Sequence, residues 1–346
     1  MIIAGARPNF MKVAPLCLEF KKRKLDYAVV NTGQHFSGSM SDAFLNEFGI
    51  KPDYTLKPEK SSVIKQFSDM MNGLGEIFKQ ESPALVIVVG DVNSTLAAAL
   101  TANKMNIPLA HVEAGLRSFN REMPEEINRI IVDQLADLLF VTEKEGVANL
   151  KKEKVRGEIY FVGNIMIDTL CMILPEIKKS DEKFYFCTLH RAENVDHKEV
   201  FEEILGALEE ISKDKKIYLP LHPRTEKMAH KFKLLGRMKK TFSLLPPLSY
   251  KESLFYQKNA ELILTDSGGV QEEASFLGIP CLTLRTETER PITVDKGTNM
   301  IAGIRKENIL KAYKKRDNLR KKTSIRYWDG KTSERIFKII NKLINK

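Results

Sequence analysis

Short β-branched runs alternate with helical stretches along the whole chain, and this rhythm constrains the fold more than any other feature. The pattern predicts strands at 1–4, 27–32, 85–89, 109–113, 138–142 and 159–162, then at 184–189, 217–221, 242–244, 262–265 and 281–284. Helical periodicity fills most gaps, as at 11–24, 61–79, 95–104, 125–136 and 198–212. Strands that alternate with helices form parallel sheets covered on both faces. The rhythm pauses between Asp168 and Lys183, around Pro175, and then restarts. At 346 residues the chain is long for one core, and two domains are expected. The expected architecture is therefore α/β: two doubly wound Rossmann-like domains, 1–170 and 171–330, facing a cleft. A last amphipathic stretch, 331–346, is expected to fold back onto the first domain. In such sheets ligands bind beyond the carboxyl ends of the strands, so the residues just after each strand carry the functional information.

Composition narrows the function classes. Hydrophobic residues make up 43% and charged residues 29%, the balance of a globular protein with a core to bury. No apolar run is long enough to span a bilayer, and the first residues meet Arg7-Pro8 too early for a signal-peptide core, so a cytoplasmic protein without a membrane partner is expected. The net charge is +10. Its lysines are spread over helices without interleaved aromatics, which reads as a solvated basic surface rather than a nucleic-acid site. Cys17, Cys171, Cys187 and Cys281 lie far apart with no ligand spacing, and no metal site is expected.

Several strand ends carry polar groups. After the strand at 262–265 comes Asp266-Ser267-Gly268-Gly269-Val270-Gln271-Glu272-Glu273. Successive N–H groups at such a helix start, with the Ser267 hydroxyl, suit a phosphate or pyrophosphate, and Glu273 one turn on suits ribose hydroxyls. The alternative is a capped helix whose glycines only permit close packing. The first strand ends in Gly5-Ala6-Arg7-Pro8, with Lys12 a turn further on, two cations that suit an anionic ligand. The third ends in Gly90-Asp91, where Asp91 is either a chemical group or a helix cap. The fourth ends in His111-Val112-Glu113-Ala114-Gly115-Leu116-Arg117, and alternation puts His111 and Glu113 on one face. A carboxylate placed so deep is costly unless paired or used. Pro124-Glu125-Glu126-Ile127-Asn128-Arg129 opens the next helix, where proline and acidic residues suit the first turn. In the second half, His190-Arg191-Ala192-Glu193 and His222-Pro223-Arg224 each follow a strand. No Asp-x-Asp metal-diphosphate signature occurs, so charge on a diphosphate would be met by protein cations and helix dipoles.

With these residues in view, the chain resembles the non-hydrolysing UDP-N-acetylglucosamine 2-epimerases. The resemblance is carried by Gly5-Ala6-Arg7-Pro8 with Lys12, Thr32-Gly33-Gln34-His35, Gly90-Asp91, His111 to Arg117, Pro124 to Arg129 and Gly163-Asn164. It continues through His190 to Asn194, His222-Pro223, Thr265 to Glu273, Thr288-Glu289-Arg290-Pro291 and Gly297-Thr298-Asn299. These motifs span nearly the whole chain in order. The resemblance implies the two-domain fold shared with the GT-B glycosyltransferases, a UDP-sugar substrate, no added cofactor or metal, and a homodimer. It implies a catalytic set of Asp91, Glu113, Glu125 and His222. It further implies that Arg7, Lys12, Arg129, Ser267, Gly268, Gly269, Glu273 and Arg290 bind the UDP-sugar. Gln34 and His35 match the region that some bacterial members use for allosteric activation by the substrate.

Other readings stay open at this stage. The loop from Arg117 to Pro124 also resembles relatives that act on UDP-2,3-diacetamido-2,3-dideoxyglucuronate, and Arg121 suits a uronate. A GT-B glycosyltransferase would use the same nucleotide turn but would not need Glu113 and Glu125 together. A hydrolysing epimerase is usually joined to a sugar kinase, for which this sequence has no room.

Overall fold

The structure, a computed structural model, describes residues 1–5, 7–34, 49–59, 61–321 and 323–344, without the side chains of Arg7 and Pro8. The chain divides into two compact units, Met1–Thr169 with Arg326–Lys346, and Leu170–Ile325.

In the first unit, the strands are β1 (Ile2–Ala4), β2 (Val29–Asn31), β3 (Tyr54–Thr55), β4 (Val86–Val89), β5 (Leu109–Ala114), β6 (Leu138–Val141) and β7 (Glu158–Phe161). Among the described residues they form one seven-stranded sheet in the order β3-β2-β1-β4-β5-β6-β7, and the pairs are parallel. β4 reads Val-Ile-Val-Val with every residue buried, as befits a strand covered on both faces. Leu74 and Phe78 of the helix Val63–Glu81 pack into the same core as Val86, Val88 and Leu139.

The helix Arg7–Lys22 contains Pro15. Proline there cannot donate to the carbonyl four residues back, which is Met11. That carbonyl accepts instead from the Thr169 hydroxyl at 2.5 Å, so the loss is made good by a tertiary bond. The helix Thr332–Ile344 returns to this unit. It packs on Arg7–Lys22, with Ile336 and Ile340 buried and the Phe337 ring 6.2 Å from that of Phe20. Its N-terminus is held by the buried Asp168, whose carboxylate accepts from the N–H groups of Thr332 (3.0 Å) and Ser333 (2.7 Å). A carboxylate at this end also meets the positive end of the helix dipole.

The second unit repeats the plan. Its strands are β8 (Tyr185–Thr188), β9 (Ile217–Pro220), β10 (Ser243–Leu245), β11 (Leu262–Thr265), β12 (Cys281–Thr283) and β13 (Asn299–Ile301), in the order β10-β9-β8-β11-β12-β13. The helix Lys198–Ser212 places Phe201, Ile204, Leu208 and Ile211 on one face at helical spacing, and all are buried against Ile217, Leu219 and Leu264. Both sheets reverse their strand order once, between β1 and β4 and between β8 and β11. Ligands of open α/β sheets bind beyond the carboxyl ends at such switch points.

Candidate active site

At the switch point of the first unit, Gly90 follows β4 with φ +66°, a conformation that favours glycine. A Cβ there would lie 2.9 Å from the Lys12 ammonium nitrogen and 3.5 Å from a Glu113 carboxylate oxygen. Lys12 and Glu113 form a buried ion pair. Glu113 itself has φ +75°, and the β5–β6 register shifts between Val112 and Ala114. The strand alternation expected to put His111 and Glu113 on one face is thus interrupted at Glu113 by a bulge. Bulges re-aim a side chain, and strain of this kind persists only where the surroundings over-determine it.

Asp91 lies next to this pair in sequence and is held from the helix Pro124–Leu135. The Arg129 guanidinium donates to Asp91 Oδ2 through Nε (2.9 Å) and Nη2 (2.6 Å). The Asn128 side chain donates to the Asp91 carbonyl at 2.8 Å. Among the described residues these bonds leave Asp91 Oδ1 without a hydrogen-bond partner, and the side chain is 28% exposed. The two glutamates of the same helix differ completely. Glu126 is buried and accepts from the Ser118 N–H (2.8 Å), the Ser118 hydroxyl (3.0 Å), the Phe119 N–H (3.0 Å) and Arg129 (3.0 Å). Burial pushes its carboxyl pKa up, but the Ser118 and Phe119 donors and Arg129 outweigh it and hold it below the ordinary value. Glu125 is exposed, with no hydrogen-bond partner among the described residues. It lies four residues from Arg129, which places both on the same helix face.

Sequence reasoning missed the support beneath these groups. His111 is fully buried, with Nδ1 2.7 Å from Asp133 and Nε2 donating to the Gly90 carbonyl at 2.9 Å. Asp133 also accepts from Arg117 (2.8 Å) and the Gly115 N–H (3.1 Å), and Arg117 reaches Glu153. This network ties the ends of β4 and β5 together. Its signal in the sequence is Asp133, a carboxylate that directly follows Ile130-Ile131-Val132.

In the second unit the organising residue is Asp266, fully buried after β11. Its Oδ2 accepts from the backbone N–H groups of His190 and Arg191, both at 2.9 Å, and its Oδ1 lies 2.9 Å from His190 Nδ1. Burial drives its pKa up, yet the His190 side chain and the two N–H groups keep it below the ordinary carboxylate value. Asp266 thereby fixes the loop after β8 against the loop after β11. His222 caps the helix Pro223–Lys231, its Nδ1 accepting from the Arg224 N–H at 3.2 Å, and its ring lies 5.5 Å from that of His190.

The helix Gly268–Leu277 begins just after Ser267, whose hydroxyl makes no cap bond to it. A Cβ at Gly269 would meet nothing within 4 Å, and one at Gly268 only Glu289 and Arg290 at 3.7 and 4.0 Å. Tight packing therefore does not account for these glycines, and the helix start is open to an anion. Glu273 is buried one turn on and accepts from the Gln257 side chain at 2.7 Å. Arg290 pairs with Glu272 at 3.1 Å, while Arg285 and Arg191 share Glu289 at 3.4 and 3.3 Å.

Arg7, through its side chain, and His35 lie outside the described residues. Gln34 accepts at its side-chain oxygen from the Ser94 N–H at 2.8 Å, at the start of the helix Asn93–Lys104. Among the described residues no group of three or more His, Cys, Asp or Glu is placed to hold a metal, and no helix is long and apolar enough to cross a membrane.

Comparison with known proteins gives a consistent picture. A family model described as UDP-N-acetylglucosamine 2-epimerase matches residues 18–341. The chain is 41% identical over 355 residues to a UDP-N-acetylglucosamine 2-epimerase homolog of Methanococcus maripaludis, with 99% of each covered. It is 39% identical over 323 residues to the UDP-2,3-diacetamido-2,3-dideoxy-D-glucuronate 2-epimerase of Pseudomonas aeruginosa, with 90% of each covered. Among solved structures it resembles the UDP-GlcNAc 2-epimerase of Methanocaldococcus jannaschii in complex with UDP-GlcNAc and UDP, at a TM-score of 0.90, 39% identity and 99% coverage of both chains.

Proposed function

Because the chain belongs to the UDP-N-acetylglucosamine 2-epimerase family, we propose that it interconverts UDP-N-acetylglucosamine and UDP-N-acetylmannosamine without net hydrolysis. The C2 proton of the sugar is hardly acidic. Cleavage of the C1–O bond, with its electron pair leaving on UDP, builds positive charge at C1 and acidifies C2–H. A carboxylate then takes that proton and a C1–C2 double bond forms, giving 2-acetamidoglucal and bound UDP. Re-addition of UDP, with a proton delivered to the other face of C2, inverts the centre. The reaction needs two proton-transfer groups and a site that stabilises the departing diphosphate.

The observation that carries this reading is the division among the carboxylates of the first unit. Glu113 and Glu126 are buried and paired, the first with Lys12 and the second with the Ser118–Phe119 loop and Arg129. Asp91 Oδ1 and Glu125 are open, and these two are assigned the proton transfers. Glu113, fixed by Lys12, stabilises charge near C1 and positions the sugar. In the second unit, His222 and the turn Ser267-Gly268-Gly269 are assigned to the diphosphate, Glu273 to the ribose and Arg290 to the sugar or phosphate.

Proton NMR of the protein with UDP-N-acetylglucosamine in deuterated water tests the reading. UDP-N-acetylmannosamine carrying deuterium at C2 is expected. Free N-acetylmannosamine with UDP would replace it by the hydrolysing reaction. A second reading, the diacetamido-uronate, is favoured by the similarity to the Pseudomonas enzyme and by the exposed Arg121. It predicts turnover of that sugar in the same assay and none of UDP-N-acetylglucosamine.

A further inference from the structure

The loop between β5 and the helix Pro124–Leu135 contains a residue whose folded state is unfavourable twice over. Phe119 has φ +58°, a backbone conformation that a bulky side chain rarely adopts. The residue is 76% exposed, so burial of its side chain does little to offset that strain. A glycine or asparagine would satisfy the same turn at lower cost. The conformation is nevertheless tightly enforced. The Phe119 N–H donates to Glu126 Oε1 at 3.0 Å, while Glu126 Oε2 accepts from Ser118 at 2.8 Å and from Arg129 at 3.0 Å. The Ser118 hydroxyl in turn accepts from the Asn120 N–H at 3.3 Å, and Asn120 Oδ1 from the Glu122 N–H at 3.0 Å. Arg129 then holds Asp91 at 2.6 Å. One unbroken set of hydrogen bonds therefore runs from the Phe119 backbone to the carboxylate assigned to proton transfer.

Strained residues persist only where the surrounding bonds over-determine them, and they cluster at active sites and ligand clamps. We infer that Phe119 is a substrate-covering residue, its ring closing over the apolar face of the pyranose at Asp91 and keeping the glycal intermediate from water and from escape. An aromatic face suits the C–H groups of a sugar ring, and excluding water protects a reactive intermediate from side reactions. This inference rests on the epimerase reading above.

The test is the partition of the intermediate. Wild type, F119A, F119Y and F119G are each incubated with UDP-N-acetylglucosamine, and 2-acetamidoglucal plus free UDP is measured against UDP-N-acetylmannosamine over time. F119A and F119G are expected to release a several-fold larger share as glucal, and F119Y to stay near wild type. F119G is expected to melt no lower than wild type, because the strain is relieved as the cover is lost. An unchanged glucal share in an active F119A overturns the inference. So does an effect of F119A confined to oligomeric state by light scattering, which would make the ring a contact to a second copy. A wild-type protein that turns nothing over removes the epimerase reading itself, a result distinct from both.

Discussion

Two adjacent residues show how little residue type says about role. Glu125 and Glu126 both suit the first turn of a helix that begins with proline, and sequence reasoning could give both the same structural excuse. The structure separates them. Glu126 is 1% exposed and ties down Ser118 and Phe119, whereas Glu125 is open to solvent. E125Q is therefore expected to lower kcat by about a hundredfold or more while leaving the melting temperature unchanged. E126Q is expected to cost about 2–3 kcal/mol of stability, because an amide cannot accept from all the donors that converge there. Parallel turnover assays and thermal melts check the pair, and equal melting temperatures would remove the distinction. Asp266 makes a pH-dependent prediction at the same scale. Its folded pKa lies below the ordinary 3.8, so its contribution is fully present above that value and is lost as pH falls through the lower folded value. D266N should be less stable than wild type at neutral pH by about 2–4 kcal/mol, with the gap narrowing below about pH 4. Urea titrations between pH 3 and pH 7 measure it; a gap that widens on acidification would contradict the assignment.

Among the elements, β5 is the most constrained. Beyond the bulge at Glu113, Gly115 has φ +81°, and a Cβ there would stand 2.5 Å from the Gly146 carbonyl oxygen. That neighbour is backbone and cannot swing aside. G115A is expected to destabilise the first unit by about 2 kcal/mol or more, and the displaced strand end should lower turnover through Glu113 as well. Denaturant midpoints and kcat on one preparation test both. The elements around this strand were largely legible, because long apolar runs and 3.6-residue periodicity leave few alternatives: the helix Lys198–Ser212 and the strand Leu262–Thr265 fall where the pattern puts them. β3 and β13, two and three residues long at the sheet edges, were not seen, since so short a run carries no period. The first helix starts at Arg7 rather than at 11, because Pro8 is tolerated in a first turn. In the candidate site the strand-end glycines and carboxylates were visible. The buried support was not, because His111 with Asp133, and Asp266 with His190, are partners distant in sequence whose pairing only the sheet order creates.

For the whole molecule, the chain builds two units that each have their own sheet and core, and it leaves and re-enters the first at Thr169 and Arg326. Units of this kind have no physical reason to share one stability, so a ligand held by one of them should not protect both equally. Of the residues given to the UDP-sugar, Ser267, Gly268, Gly269, Glu273 and Arg290 belong to the second unit, as does His222. UDP alone, at about a hundred times its dissociation constant, adds about 2.7 kcal/mol to whatever unfolds when it leaves. Hydrogen exchange of the intact protein with UDP should therefore slow most in the second unit, in the helix Gly268–Leu277 and the Asp266-held loop at His190 and Arg191. The amides of β4 and β5 should change far less. Binding at the open start of a helix also predicts that the slowed amides include Gly268 and Gly269, whose N–H groups point out of the first turn and make no bond within it. Protection spread evenly over both sheets, or concentrated at Gly90 and Glu113, would place the nucleotide in the first unit. The roles of Ser267, Glu273 and His222 would then have to be reassigned.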